Sequence, residues 1–128
     1  MIEFTVKQGR VEINIKSLTI GKDICIIITG GDKPHIGCVA LSISRESLKD
    51  ENCGSYTTSV LNLLGHKDEK VARYVAEKVV RALGKNVVVI GGIHVEDIKP
   101  QEMDFILTSL DDIAEHIINQ QYPKDCVR

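Results

Sequence analysis

The stretch that decides the fold is CVALSIS, residues 38–44, in which large and small side chains alternate. Val39, Leu41 and Ile43 point to one side of an extended strand, and the intervening positions, which point to the other side, are small. A strand with one small-residue face lets another element approach closely. We therefore expect a helix to pack on the small side of this strand.

The residue pattern of the first half of the chain predicts further strands. IEFTVK (2–7) and VEINIK (11–16) alternate apolar and polar residues around QGR, which is typical of an antiparallel hairpin with one solvated face. DICIIIT (23–29) is apolar on both faces, as expected of a central strand. SYTTSVLNLL (55–64) is rich in β-branched and hydroxyl residues and predicts one more strand.

The second half changes to helical periodicity. An apolar stripe from Val71 to Leu83 ends at Gly84, and a second stripe follows Pro100, which suits a first helical turn. Between them NVVVIGG (86–92) is a short buried strand. The order predicts an α+β fold: a mostly antiparallel sheet with two helices on one face. We expect one domain over residues 1–122 and a flexible tail over residues 123–128.

Composition excludes several classes of function. The formal net charge is −2 and only 4% of the residues are aromatic, which gives no basis for binding nucleic acid. No apolar run approaches the roughly 20 residues that a membrane span requires. The N-terminus lacks the pattern of a signal peptide, so we expect a cytoplasmic protein. Its four cysteines show no CxxC spacing and are expected to be free thiols, with Cys25 and Cys38 in the core.

Three histidines occupy similar places, next to glycine at the ends of predicted elements: His35, His66 and His94. Each has an ordinary structural explanation: a hydrogen bond within a hairpin loop for His35, a helix cap for His66, or a surface pair with Glu96 or Asp97 for His94. His116 is expected to be an ordinary residue of the second helix. Taken together, the three glycine-flanked histidines predict a binding site built from loops.

Two classes of ligand remain open from the residues alone. A phosphorylated ligand would use backbone amides of GGDKPHIG (30–37) together with Lys67. A divalent metal would use His35 and the pairs that His66 forms with Asp68 and His94 with Glu96. The chain has no GxSxG, HExxH or GxxxxGKS motif, so no catalytic constellation is predicted.

Three segments together resemble the LpdD-like family of prenylated-flavin chaperones: GGDKPHIGCVALSI, TTSVLNLLGHKDEKVARYVAEKV and VVVIGGIHVEDI. The resemblance spans about residues 25–98. It implies a non-catalytic accessory protein that holds prenylated FMN and helps deliver it to a UbiD-type decarboxylase, in partnership with a flavin prenyltransferase. It also implies a fold similar to that of proteasome-assembly chaperones and a homodimer.

The candidate cofactor-binding positions lie inside these segments and are Gly30, Gly31, His35, Gly37, Ser59, His66, Lys67 and His94. We expect the glycines to turn their amides towards the ligand and Pro34 to hold the loop open. Replacing any of the three histidines by alanine should weaken binding and leave the melting temperature nearly unchanged. Two other functions stay open: a metal-dependent enzyme, with metal ligands at His35, His66, Asp68, His94 and Glu96, and a structural assembly partner of a decarboxylase complex.

Overall fold

A computed structural model describes residues 1–45, 55–63 and 67–121. The predicted tail, residues 123–128, lies outside the described residues, as do His66, Cys53 and Cys126. The elements follow in the order β1 (Ile2–Gln8), β2 (Val11–Ile20), β3 (Asp23–Gly31), β4 (Cys38–Arg45), β5 (Ser55–Asn62), α1 (Lys67–Leu83), β6 (Val87–His94) and α2 (Pro100–Gln121).

The strands form one sheet in the order β1-β2-β3-β6-β4-β5. Four of the neighbouring pairs are antiparallel, and β3 with β6 is the parallel pair, in a register that sets Ile27 beside Ile90. The α+β prediction of a mostly antiparallel sheet with two helices is therefore confirmed.

The connection from β3 to β4 is not a hairpin, because β6 lies between these two strands. The loop of residues 32–37 must cross two inter-strand spacings, roughly 10 Å, to reach β4. The hairpin interpretation of GGDKPHIG is wrong for this reason. The loop is long because it bridges over the end of β6.

Helix α1 packs on the small-residue face predicted for β4. Cys38, Ala40 and Ser42 are fully buried there, and burial raises the pKa of the Cys38 thiol. A Cβ built on Gly91 of β6 would meet the Ala72 side chain at 3.4 Å, which shows how closely the helix approaches. The helix ends as its sequence predicts, since Gly84 adopts a φ of +64° and donates its amide to the Val80 carbonyl at 2.8 Å.

Helix α2 covers the other half of the same face, where His116 stacks on Phe4 with ring centroids 4.1 Å apart. Arg10, in the β1–β2 turn, binds the start of this helix and the segment before it. Its Nε donates to Glu102 at 2.7 Å, and its terminal nitrogen donates to the Glu96 carbonyl at 2.7 Å. Neither helix in the described part of the chain has the length and apolarity needed to cross a lipid bilayer.

The opposite side of the sheet, which we call the open face, has no element of the described chain packed on it. Alternation along the paired strands places an apolar group at its centre: Leu18, Cys25, Ile27, Val39, Leu41, Ile43, Leu61, Val88 and Ile90. Cys25 is therefore a half-buried residue of the open face, whereas the sequence placed it in the core.

Candidate ligand site

The loop of residues 32–37 is bound to the end of β6 by its own backbone. The amides of Asp32 and Lys33 donate to the His94 carbonyl at 2.7 and 3.4 Å. At the other end of the loop the Gly37 amide donates to the Gly91 carbonyl at 2.9 Å. These three amides are already satisfied by the protein, so a ligand would have to displace the β6 carbonyls to use them.

The glycines of this region are required for contact between chain segments. A Cβ on Gly92 would lie 1.6 Å from the His35 carbonyl oxygen, and one on Gly37 would lie 2.1 Å from Asp68 Oδ2. Gly31 has a φ of +76°, and its Cβ would meet the His94 carbonyl at 2.1 Å. Gly30 likewise has no room beside the Glu12 carbonyl, at 2.2 Å. These glycines therefore permit close contact between chain segments. The expectation that the Gly37 amide faces a ligand is wrong, because that amide donates to the Gly91 carbonyl.

His35 joins the loop to helix α1. Its Nδ1 lies 3.0 Å from the Lys33 carbonyl, and its Nε2 lies 3.0 Å from Asp68 Oδ2. Both partners accept hydrogen bonds, so the two bonds form together when both ring nitrogens carry a hydrogen, the imidazolium form. Asp68 is only 4% exposed, and its second oxygen accepts the Ile93 amide at 3.1 Å.

His94 stands beside His35, with ring centroids 6.5 Å apart in an edge-on arrangement. Its Nε2 lies 3.3 Å from Glu96, and Lys33 Nζ reaches the same carboxylate at 3.0 Å. The hydrogen bonds from Lys33 and His94 hold the pKa of Glu96 below its ordinary value. We call the group Lys33, His35, Asp68, His94 and Glu96 the histidine corner.

The structure brings some of the predicted positions to this corner and separates others. Lys67 is the first residue of α1, directly before Asp68. Ser59 lies on the open face of β5 in the row of Leu41 and Val88, roughly 20 Å along the strands from His94. His66 lies outside the described residues, so the third histidine stays a prediction.

Lys33 belongs to the histidine corner and Gly92 lies against its loop, although the sequence did not single out either of them. The signal for Lys33 was its place next to Pro34 in the loop. Gly92 was visible only as part of a Gly-Gly pair, with nothing to indicate that the His35 carbonyl lies over it.

The metal alternative finds no support among the described residues. Within ranges 1–45, 55–63 and 67–121, no three His, Cys, Asp or Glu side chains form a group that could hold a metal ion. Asp68 binds His35 and an amide, while Glu96 binds Lys33 and His94. A metal at this corner would therefore depend on His66.

The fold is similar to that of a solved structure. A chain of the crystal structure of a chaperone complex for yeast 20S proteasome assembly is similar over 91% of this chain and 95% of that chain. The TM-score is 0.50 and the sequence identity is 15%, so the likeness concerns the fold alone.

The sequence comparisons give the family. Residues 7–122 match the prenylated flavin chaperone LpdD-like domain. Protein LpdD of Lactiplantibacillus plantarum is 27% identical over 119 residues, which cover 93% of this chain and 84% of that protein. The chain belongs to the LpdD-like prenylated flavin chaperone family, as the resemblance of its three segments indicated.

Proposed function

We propose that this protein is a non-catalytic accessory protein that holds prenylated FMN and helps deliver it to a UbiD-type aromatic acid decarboxylase. The observation that carries the proposal is the family match over residues 7–122. A flavin prenyltransferase would supply the cofactor. The proposal includes the cytoplasm as the compartment and a homodimer as the working form.

The histidine corner fits the phosphate of such a cofactor through side chains. Lys33, His35 and His94 are all partly exposed, with side-chain exposures of 71%, 40% and 44%. The Lys33 ammonium and the His94 imidazole can donate charge-assisted hydrogen bonds to a phosphate oxygen. Both ring nitrogens of His35 already lie 3.0 Å from protein acceptors, so His35 positions the loop beside them. When bound here, the cofactor would present its phosphate to the corner, and its flavin chemistry would be used in the decarboxylase.

Glu96 limits how tightly this corner can hold an anion. Its carboxylate already occupies Lys33 and His94, so a phosphate must compete with it for both donors. Competition of this kind suits a carrier, because a cofactor that is held weakly at its phosphate is released readily to a tighter site.

The direct test is retention followed by transfer. The protein is incubated with prenylated FMN and desalted, and its ultraviolet–visible spectrum is recorded. The loaded protein is then mixed with an apo-decarboxylase, and the amount of holoenzyme formed is measured. We expect flavin absorbance to stay with the protein after desalting and then to appear in the decarboxylase.

A matched pair of histidine variants localises the effect. His94→Ala should retain less flavin than the wild type, whereas His116→Ala, which removes a histidine that stacks on Phe4 of the distant hairpin, should retain the same amount. Loss of all flavin from the wild-type protein on desalting, with no gain in holoenzyme, would reject the proposed function.

A further inference from the structure

The open face leaves large apolar side chains in contact with solvent. Leu41 is 39% exposed, Ile43 is 43% exposed and Leu61 is 71% exposed, and they lie next to one another on β4 and β5. The apolar group continues across β6, β3 and β2 without a charged residue at its centre. A continuous exposed apolar surface in a folded domain indicates a contact with another molecule.

Mainly polar residues surround this apolar centre. On the β1–β2 side Glu3 pairs with Lys16 at 3.7 Å and Thr5 donates to Asn14 at 3.1 Å. Further polar rim positions are Thr29 and His94 at one end, Asp23 and Asn86 at the other, and Thr57 and Ser59 on β5. Ile20, opposite Asp23 on β2, is an exposed apolar residue of this rim. An apolar centre inside a polar rim is the usual anatomy of a protein–protein interface.

The size of the open face suits a partner that is itself a sheet. Five inter-strand spacings by eight residues give roughly 24 by 26 Å, or about 600 Å² on each side. Two such faces bury roughly 1,200 Å², which is at the lower limit of specific interfaces. The apolar part alone extends from Leu18 on β2 to Leu61 on β5, roughly 19 Å. A docked helix, about 10 Å wide, would cover only half of it.

We infer that the open face is the surface on which a second copy of this chain packs, sheet against sheet. A second copy supplies an apolar area of the same width, and its rim offers both a lysine and a glutamate to the other rim. This inference rests on the homodimer included in the proposed function, but it uses none of the flavin chemistry. His94 lies at one end of the open face, so the histidine corner borders the interface.

Two leucines of nearly equal exposure provide the test. Leu41 lies on the open face at 39% exposure, and Leu107 lies on α2, on the helical side of the molecule, at 37%. Sedimentation equilibrium of the wild type should give twice the chain mass of 14.2 kDa. Leu41→Lys should raise the dimer dissociation constant by roughly 30-fold or more, and Leu107→Lys should leave it unchanged.

The possible outcomes distinguish failure of the homodimer, failure of the open face as its interface, and failure of the proposed function. A wild-type monomer at all concentrations overturns the dimer and with it this inference, whatever the flavin experiment gives. A dimer that dissociates with Leu107→Lys and persists with Leu41→Lys assigns the interface to the helices and overturns the open face. If Leu41→Lys weakens the dimer and Leu107→Lys does not, but the wild type fails to retain flavin, the proposed function is overturned and the interface on the open face stands.

Labelling of Cys25 in the wild type removes any dependence on the folding of a variant. This thiol faces the open side, half-buried by its neighbours, and a second sheet would cover it. Its reaction with a maleimide, measured on the Cys25 peptide by mass spectrometry, should slow as the protein concentration rises through the dissociation constant. A constant labelling rate across a measured monomer–dimer transition would contradict the inference.

Discussion

His35 Nε2 lies 3.0 Å from Asp68 Oδ2, and this contact joins the β3–β4 loop to the first turn of α1. Because Asp68 is buried, removing its partner leaves a carboxylate oxygen in a poorly solvated place. Through this contact His35 contributes to the stability of the fold, whereas the sequence predicted that it would affect ligand binding and not stability.

The first prediction concerns the two histidines of the corner. His35→Ala should lower the free energy of unfolding by about 1–2 kcal/mol, because buried Asp68 loses a hydrogen bond. His94→Ala should change it by less than about 0.5 kcal/mol, since His94 pairs with an exposed carboxylate. Urea unfolding measures both. In an Asp68→Asn background His35→Ala should cost less; an undiminished loss would show that the Asp68 contact is not the cause.

The second prediction uses neighbouring glycines of β6. Gly92→Ala should destabilise the protein by about 3 kcal/mol or more, because its Cβ would overlap the His35 carbonyl. Gly91→Ala should change stability by less than about 1 kcal/mol, since its Cβ would make ordinary contact with Ala72. Thermal and urea unfolding of the pair provide the measurement. Equal effects at the two positions would mean that the loop does not lie against Gly92.

The third prediction concerns the carboxylate that competes for the corner. Glu96→Gln should tighten the binding of FMN or prenylated FMN by roughly two- to five-fold, because Lys33 and His94 lose a charged partner. Isothermal titration calorimetry gives the dissociation constants. Glu3→Gln is the matched control, since Glu3 is similarly exposed and pairs with Lys16 on the β1–β2 hairpin. Weaker binding after Glu96→Gln would place the phosphate elsewhere.

The fourth prediction concerns acid stability. The hydrogen bond from Arg10, and secondly that from the Lys99 amide, lower the pKa of Glu102 from 4.5 to about 2. A depressed carboxyl pKa stabilises the fold above the unfolded value of 4.5 and loses this contribution as the pH falls towards 2. The urea concentration at the unfolding midpoint should therefore decrease as the pH is lowered from about 5 to about 2. The decrease should be smaller in Glu102→Gln, which has no carboxyl group to protonate at this position.

Glu3→Gln serves as the control for the acid series as well, because its contact with Lys16 is longer, at 3.7 Å, and lies at an exposed surface. It should leave the slope of stability against pH close to that of the wild type. An identical slope in the wild type and Glu102→Gln would show that the Arg10 contact does not persist in solution.

The elements were predictable from local patterns. The alternation of Val39, Leu41 and Ile43 with small residues indicated which side of β4 meets a helix, and Gly84 marked the end of α1. The neighbours of each strand were not predictable in the same way. The run of β6 is apolar on both faces, so nothing in it specifies a place between β3 and β4.

The candidate site was only partly predictable, because it too depends on contacts between segments that are distant in the sequence. Glycine-flanked His35 and His94 do lie together. The burial of Asp68 could not be foreseen, because an acidic residue in a first helical turn is usually exposed. The reason for the glycines depends on contacts between residues as distant as His35 and Gly92, which no local pattern records.

The position of β6 between β3 and β4 also governs the order in which a nascent chain can assemble. The β1–β3 meander and the β4–β5 hairpin contain only sequence-local pairings and can form separately as the chain leaves the ribosome. They become one sheet only when residues 87–94 have been synthesised and inserted between them. Until then the unpaired edges of β3 and β4 can pair with strands of other chains. The chain is therefore most prone to aggregate in the interval before β6 is inserted.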